Sequence, residues 1–578
     1  MTERRSVSQI LFGFLPQQTV DVRGGVWKVE SWRGAINEVN FDAESLRREL
    51  CRLARPWQAN GKDGDFVLDL EKKRAGIQVK TLDRERGVKL RPFPRIWFCG
   101  SCYRISDSST SKCLCKAAGR KGQLQFVQYC DKCAELSEPY IPLCPLHGEC
   151  RINFPGTATG AEVLFDCPTC GKRLREGFGF PRSACGSLMK ANVHRAASVF
   201  TPRSVVIVNP PSRTRLQEMR DAGGAPRALG WVLSGMRARS MTHGVPSAEA
   251  LRRQLLAQGL KPDIVERMLV AALDGRAVEE GSNQLLLHPA IQESAEEQAL
   301  AIAVAVSESR ATLEDLVARS DPGSNPADRY RDAYPLALAQ AGLERVDLID
   351  RFPVLSGHFA FTRGATDPGA SYLSAFRNSR GEYIVYGSVA ETEALFISLN
   401  PERVLDWLRR RGCDGGQAQR SAREAVLLAA SSIDKNERSP VLEQVTELVH
   451  TYAHRLIRLM AVHAGIERNA LSELLVPTHL GFFIYAATRG DFVLGGLQAV
   501  FEGSLDKLLR EFVQGERRCA LDPGCARGGG ACIACLHLGE TSCRLYNTKL
   551  DRRVLFGSEG YLRYSGNKGD HIGRGPDV

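Results

Sequence analysis

Leu521-Asp-Pro-Gly-Cys525-Ala-Arg-Gly-Gly-Gly-Ala-Cys532-Ile-Ala-Cys535-Leu-His-Leu-Gly-Glu-Thr-Ser-Cys543 is the stretch on which the reading of this chain turns. Two thiolates separated by two residues grip one side of a tetrahedral ion, and two outer thiolates close it. A segment so rich in glycine has little apolar surface to bury, so the metal must supply much of its folding energy. Cys519 is a fifth candidate, but a tetrahedral zinc takes four ligands. The expected set is Cys525, Cys532, Cys535 and Cys543, with Cys519 spare and His537 too close behind Cys535 to substitute easily. A closed four-thiolate site is structural, because catalysis needs an open position.

Working outward, the chain of 578 residues holds 18 cysteines, and they cluster. Eleven lie between Cys99 and Cys185, five between Cys519 and Cys543, and only Cys51 and Cys413 stand apart. Clustered CxxC pairs in a long chain point to thiolate–zinc sites rather than to a disulfide scaffold. The first cluster comprises Cys99, Cys102, Cys113, Cys115, Cys130, Cys133, Cys144, His147, Cys150, Cys167, Cys170 and Cys185. These twelve donors suffice for three four-ligand sites. Cys167-Pro-Thr-Cys170-Gly171 is the cleanest knuckle, since Cys102 is followed by Tyr and Cys133 by Ala. Cys99/Cys102 can pair with Cys113/Cys115 or with Cys130/Cys133, and Cys167/Cys170 is expected to join Cys185 and one of Cys144, His147 or Cys150. An iron–sulfur cluster is a less favoured occupant.

The remaining pattern predicts an α+β, multidomain chain with a zinc-ribbon-rich N-terminal half, a helical middle and a mixed C-terminal half. The boundaries read as 1–95, mixed; 96–204, cysteine-rich; 205–330, mainly helical; 331–440, mixed; 441–560, the last zinc-binding domain; and 561–578, a flexible tail. Val20 to Arg23, Gly24-Gly25 and Val26 to Val29 predict a hairpin. Helical spacing runs from Ala248 to Leu273 and over 440–515, the latter broken at Gly481 to Tyr485 and at Gly495-Gly496. Tyr383 to Tyr386 and Ala394 to Leu399 read as strands, and Pro401 opens a helix.

The formal charge is +11, with about +16 in residues 1–240, about −8 in 241–350 and about +3 in the rest. A basic N-terminal half suggests an acidic partner such as nucleic acid. The candidate phosphate contacts are Lys121, Lys172, Arg173, Arg175, Arg213 and Arg215, in or just beyond the zinc-rich region. No apolar run is long enough for a membrane span, and the first residues lack a signal-peptide h-region, so a cytoplasmic location is expected.

No catalytic motif stands out. There is no P-loop and no G-x-S-x-G elbow. His147-Gly-Glu149 with Cys167-Pro-Thr-Cys170 approaches the zinc-deaminase signature, but the proline lies inside the second pair. His450 and His454 share a helix face, yet Thr451 stands where a zincin needs Glu. They read better as core histidines on a carboxylate, Glu447 or Glu473. Gly495-Gly496 could open a helix N-terminus to an anion, though close packing or a left-handed turn is the simpler use.

The segment Leu521–Cys543, followed by Asn547 and Leu550-Asp551-Arg552 and preceded by Leu448-Val-His450-Thr-Tyr-Ala-His454-Arg and Gly495-Gly496-Leu497, resembles the MrfA-type zinc-binding domain, once known only as a domain of unknown function. Gly357-His-Phe-Ala-Phe-Thr362-Arg363, Glu391-Thr-Glu-Ala-Leu-Phe-Ile and Ala191-Asn-Val-His-Arg195 resemble the DrmB family, the helicase-partner subunits of DISARM anti-phage systems. The resemblance implies a non-catalytic zinc-binding subunit that partners a separate, DrmA-like helicase and contacts phage DNA through that complex. The alternatives are a stand-alone zinc-dependent nucleic-acid-binding protein and a zinc hydrolase or deaminase.

Overall fold

The fold, seen in a computed structural model, is α+β, with many small sheets and a helical middle. The structure describes residues 1–563 apart from 6, 59–63, 84–85, 116–120, 155–159, 211, 243–247, 259, 280–284, 308, 366–367, 369, 414–420, 436–437, 488–493, 516, 540–541 and 544. The tail from Tyr564 therefore lies outside the described residues. The chain forms two compact units: Met1–Ile207 with Leu355–Val389, and Val208–Val354 with Ala390–Val578. The division falls inside the strands Leu343–Thr362 and Tyr383–Leu399, each of which gives a part to either unit. Among the described residues, no helix is long and apolar enough to cross a membrane.

In the first unit the expected hairpin forms between Thr19–Val22 and Gly25–Trp32, with Val20 opposite Trp27. Arg23 and Gly24 make its turn with φ of 52° and 76°, the left-handed pair that matches strand twist. Val88–Pro92 and Thr2–Glu3 extend this sheet. Alternate residues Val20, Val22, Val29, Val88 and Leu90 face a core with Ile10, Leu11, Phe14, Leu15 and Trp32. A second core gathers Leu46 and Leu50 from the helix Ala43–Ala54, capped by Asp42. Ile77–Thr81 adds to this unit's part of Tyr383–Leu399 in parallel, Val79 beside Val385.

The cysteine-rich stretch folds into three small three-stranded sheets, built from Trp97–Cys99, Ile105–Ser106 and Lys121–Gln123; from Leu136–Ser137, Phe126–Tyr129 and Lys190–Val193; and from Arg151–Asn153, Leu164–Asp166 and Arg173–Glu176. None could bury enough apolar surface alone.

The second unit is organised by the helix Pro440–Ala464, which starts with Ser439 capping Leu442 N and Pro440 in the first turn. It ends on Gly465 at φ 64°, a left-handed cap that glycine adopts without strain. Val445, Leu448, Val449, Tyr452, Leu456, Ile457 and Met460 recur at helical spacing and are buried in the largest core. The break expected at Gly481 is a complete hairpin, Leu471–Val476 with Gly481–Ala486. Runs as apolar and aromatic as Phe482-Phe-Ile-Tyr485 pack on both faces as a central strand does. Helices 213–221, 224–233, 248–257, 262–279 and 289–306 fill the expected helical middle.

Candidate metal centres

Four turns in the first unit share one geometry. The N–H groups of Cys99, Cys130, Cys144 and Cys167 each donate to the carbonyl five residues on: Arg104, Glu135, Glu149 and Lys172, at 2.9–3.0 Å. The residue four places after each cysteine is left-handed: Tyr103 (60°), Ala134 (57°), Gly148 (62°) and Gly171 (71°). This fold-back aims backbone N–H groups at sulfur, as with Cys133 N to Cys130 Sγ (3.4 Å) and Cys170 N to Cys167 Sγ (3.5 Å). Cys102-Tyr and Cys133-Ala are therefore knuckles as complete as the glycine-bearing pairs. Tyr103 and Ala134 hold a conformation that costs an L-residue roughly 1–2 kcal/mol. Ala134→Gly is accordingly expected to stabilise the first unit by about 0.5–1 kcal/mol in urea unfolding, and Ala134→Val to destabilise it by more than that.

The knuckles assemble three sets in this unit. Cys99, Cys102, Cys113 and Cys115 form the first, with Cys99–Cys115 sulfurs 3.6 Å and Cys102–Cys113 sulfurs 3.4 Å apart. Cys144, His147, Cys167 and Cys170 form the second, His147 Nδ1 lying 3.5 Å from both Cys144 and Cys167. Cys130, Cys133 and Cys185 form the third, with Ser183 Oγ 3.3 Å from Cys130 Sγ and 3.1 Å from Cys185 Sγ. A tetrahedral zinc with bonds of about 2.3 Å places its sulfurs about 3.8 Å apart. These separations match that edge and exceed a covalent S–S bond, and all the cysteines are free thiols. Each set also holds an acidified thiol. Cys99 falls to about 6 through the N–H groups of Cys102 and Ser101, and Cys185 to about 6 through the Ser183 hydroxyl. Desolvation raises Cys144, yet His147 and the Leu146 N–H bring it to about 6.

In the second unit Cys519, Cys525, Cys532 and Cys535 converge, with Cys519–Cys532 3.5 Å, Cys525–Cys535 3.7 Å and Cys532–Cys535 3.7 Å between sulfurs. Asp522 shapes the loop by accepting from Cys519 N (2.9 Å) and Ala526 N (3.1 Å). Arg552 bridges Asp522 (2.5 Å) and Cys525 Sγ (3.0 Å), and Arg458 donates to the carbonyls of Ile533, Ala534 and His537.

These placements revise the spacing-based expectation at three points. Cys519 occupies the position assigned to Cys543, because Asp522 folds the chain back on itself while Cys543 is drawn to His450 (3.3 Å) and away from the other thiols. Cys185 joins Cys130 and Cys133, leaving Cys167 and Cys170 to Cys144 and His147. Cys150 belongs to no set among the described residues; it packs with Leu124, Phe126 and Phe165, and burial pushes its thiol up to about 12. His450 and His454 do meet a carboxylate, Glu473, at 3.1 and 3.4 Å.

The candidate phosphate contacts are mostly engaged within the chain. Lys121 Nζ donates to Ser106, Ser108 and Ser111. Arg173 pairs with Asp166 (2.5 Å) and Glu176 (3.0 Å), Arg175 lies over the Tyr140 ring, and Arg215 pairs with Glu218 (2.8 Å). Lys172 is exposed, and the Arg213 side chain lies outside the described residues. A cleft of about 970 Å³, which the spacing of charges gave no reason to pick out, is lined by Arg4, Arg23, Arg33, Arg86 and Lys89. Gly495, Leu497 and Gln498 N–H groups do hold an anion at the helix Gly496–Gly503, but it is the chain's own Glu393 carboxylate at 3.0–3.3 Å.

Arg363, in the resemblance-bearing run from Gly357, is buried beneath the third set. Its guanidinium donates to the carbonyls of Ala134 (2.9 Å), Gln17 (3.1 Å) and Val199, between the rings of Phe200 and Phe361. Burial lowers it to about 9, so it stays charged at neutral pH. It ties the Cys130 knuckle to the unit's core.

Residues 6–201, which carry all three N-terminal sets, match a family described as a domain of unknown function, DUF8724. The chain is also similar to the DISARM protein DrmB of Bacillus paralicheniformis, 30% identical over 180 residues, or 28% of this chain and 31% of the relative. The match thus spans about a third of the relative's length and supports a DrmB-like relationship.

Proposed function

We propose that this chain is a non-catalytic, zinc-stabilised subunit of a DISARM-type defence system that assembles with a separate helicase and helps it hold phage DNA. The observation that carries the reading is the set of closed four-donor clusters in a chain similar to DrmB. Four protein donors of sulfur and imidazole suit zinc and leave no position for substrate. Bound there, zinc would supply folding energy and a rigid frame, with Cys99, Cys102, Cys113 and Cys115, then Cys144, His147, Cys167 and Cys170, and Cys519, Cys525, Cys532 and Cys535 as its holders. Glu149, the residue a deaminase would use as its acid–base group, is braced by Arg104 (2.6 Å) and Thr169 (2.8 Å). That engagement favours a strut over a proton carrier. Leu114, Leu146 and Ile533, at the tips of three cysteine turns, are 72–83% exposed and offer apolar contacts to a partner.

Co-expressed with the DISARM helicase of its own genome, the chain is expected to co-purify as a stoichiometric complex and, alone, to hydrolyse no ATP. Tight DNA binding by the chain alone, with no complex formed, would instead favour the stand-alone module. For DNA contact the cationic cleft is the stronger candidate, since Arg23, Arg86 and Lys89 keep side chains 59–74% exposed despite partial pairing with Glu3, Asp83 and Glu30. Arg4→Ala with Arg23→Ala is expected to weaken DNA binding by the complex alike for all sequences. The slope of log K against log salt should become shallower by about 1 for each phosphate that is no longer neutralised. An unchanged slope would exclude the cleft.

A further inference from the structure

His450, His454, Glu473 and Cys543 form a group of a different kind from the cysteine knuckles. They come from the helix Pro440–Ala464, the strand Leu471–Val476 and the loop that carries Cys543. His450, His454 and Glu473 are fully buried and Cys543 is 2% exposed. One donor atom from each lies within 4.8 Å of the others. His450 Nε2 stands 3.1 Å from Glu473 Oε1 and 3.3 Å from Cys543 Sγ, and His454 Nε2 stands 3.4 Å from the same Oε1.

The outer nitrogens explain the orientation. His450 Nδ1 faces the Lys549 carbonyl at 3.2 Å and His454 Nδ1 the Leu536 carbonyl at 2.9 Å. A carbonyl only accepts, so each Nδ1 carries the proton and donates it. That leaves Nε2 of each ring turned to the centre, the orientation that ligating histidines adopt through their outer hydrogen bonds. His454 Nε2 makes no hydrogen bond there. Two ring nitrogens, a carboxylate and a sulfur thus converge in the protein interior, where their charge has to be balanced by a metal ion or by protons between them. Asn547 N–H donates to Cys543 Sγ at 3.1 Å, as backbone amides do to a thiolate.

We infer that His450, His454, Glu473 and Cys543 bind a structural zinc ion, in addition to the ion proposed for Cys519, Cys525, Cys532 and Cys535. Zinc bonds of about 2.0–2.1 Å to nitrogen and oxygen at tetrahedral angles put donors about 3.4 Å apart, which these separations match. Mixed nitrogen, oxygen and sulfur donors suit this borderline ion. Two neutral imidazoles, one carboxylate and one thiolate also cancel its double charge, so the filled site buries no net charge. The ion pins the end of the cysteine loop to the long helix, and Leu536, whose carbonyl holds His454, directly follows Cys535. The site therefore braces the neighbouring four-thiol set.

The experiment uses the full chain purified with zinc present. Anomalous difference maps from crystals, taken on either side of the zinc edge, should show a peak among these four side chains. Elemental analysis should find one zinc fewer per chain in Cys543→Ala, one fewer in Cys519→Ala and two fewer in the double variant. A wild-type map with peaks at the knuckle sets and none here overturns the inference and leaves the proposed function standing. A peak here with none at the knuckles does the reverse. A folded chain carrying His450→Ala, His454→Ala and Cys543→Ala together whose zinc count is undiminished also overturns the inference, since Glu473 alone cannot hold the ion. The crystal measurement decides the matter if the variants fail to fold.

Discussion

Cys519→Ser is expected to strip one zinc from each chain and to unfold the loop from Cys519 to Cys535 as completely as Cys535→Ser does. Cysteine spacing alone makes Cys519 the spare thiol and its loss mild. The geometry reverses that, since Cys519 Sγ lies 3.5 Å from Cys532 Sγ and its N–H is held by Asp522. Structural zinc in a small module is worth about 10–16 kcal/mol, so removing one of four ligands removes most of what orders a loop so poor in apolar residues. The measurements are zinc content by mass spectrometry and protease cleavage between residues 515 and 563. Equal zinc loss and equal cleavage in the two variants is the expected result. A Cys519→Ser chain that keeps its zinc and its protease resistance would restore Cys543 to the set.

The second large effect is expected at Arg363. Its fork satisfies three buried carbonyls, and no single shorter side chain can reach all of them. Each buried acceptor left without a donor costs about 1 kcal/mol or more, so Arg363→Met should destabilise the first unit by at least about 3 kcal/mol. Arg363→Lys restores the charge but not the planar fork, and should recover only a minor part. Urea unfolding followed by the fluorescence of Trp27, Trp32, Trp57 and Trp97, in a background with Trp231→Phe and Trp407→Phe, reports on this unit. A midpoint shift equivalent to less than about 1 kcal/mol for Arg363→Met would show that the carbonyls find other donors.

What the sequence disclosed divides by range. The knuckles at Cys99, Cys130, Cys144 and Cys167 were readable as pairs because each is a local turn of a few residues. Which pair joins which was not, since Cys185 meets Cys130 at a separation of 55 positions while the Cys144 set closes inside that span. The company of Cys543 was hidden for the same reason: its neighbours in sequence are thiols, but His450, which it meets in the structure, lies 93 positions away. The hairpin and the helix from Pro401 were legible because turn and cap residues act on adjacent backbone, although the turn falls at Arg23-Gly24, one residue before the expected Gly24-Gly25, with Gly25 opposite Val22. Arg173 and Lys121 looked available for phosphate because side-chain pairing with Asp166 or Ser106 leaves no periodic trace.

The first unit is discontinuous, and that has a bearing on synthesis. When Ile207 leaves the ribosome, the segment Leu355–Val389 that completes the unit has yet to be made. At about 5–20 residues per second, the interval before it emerges is roughly ten to thirty seconds. During that interval the nascent chain has no Arg363 to satisfy the Ala134 carbonyl and no Tyr383–Tyr386 to pair with Ile77–Lys80. The turns at Cys99, Cys144 and Cys167 take their backbone bonds from residues already made, so metal capture can lock them, while the Cys130 knuckle and the strand Ile77–Thr81 wait for partners. A metal ion available at the moment of translation, and a chaperone able to shield an unpaired strand, would therefore raise the share of this chain that reaches its folded form.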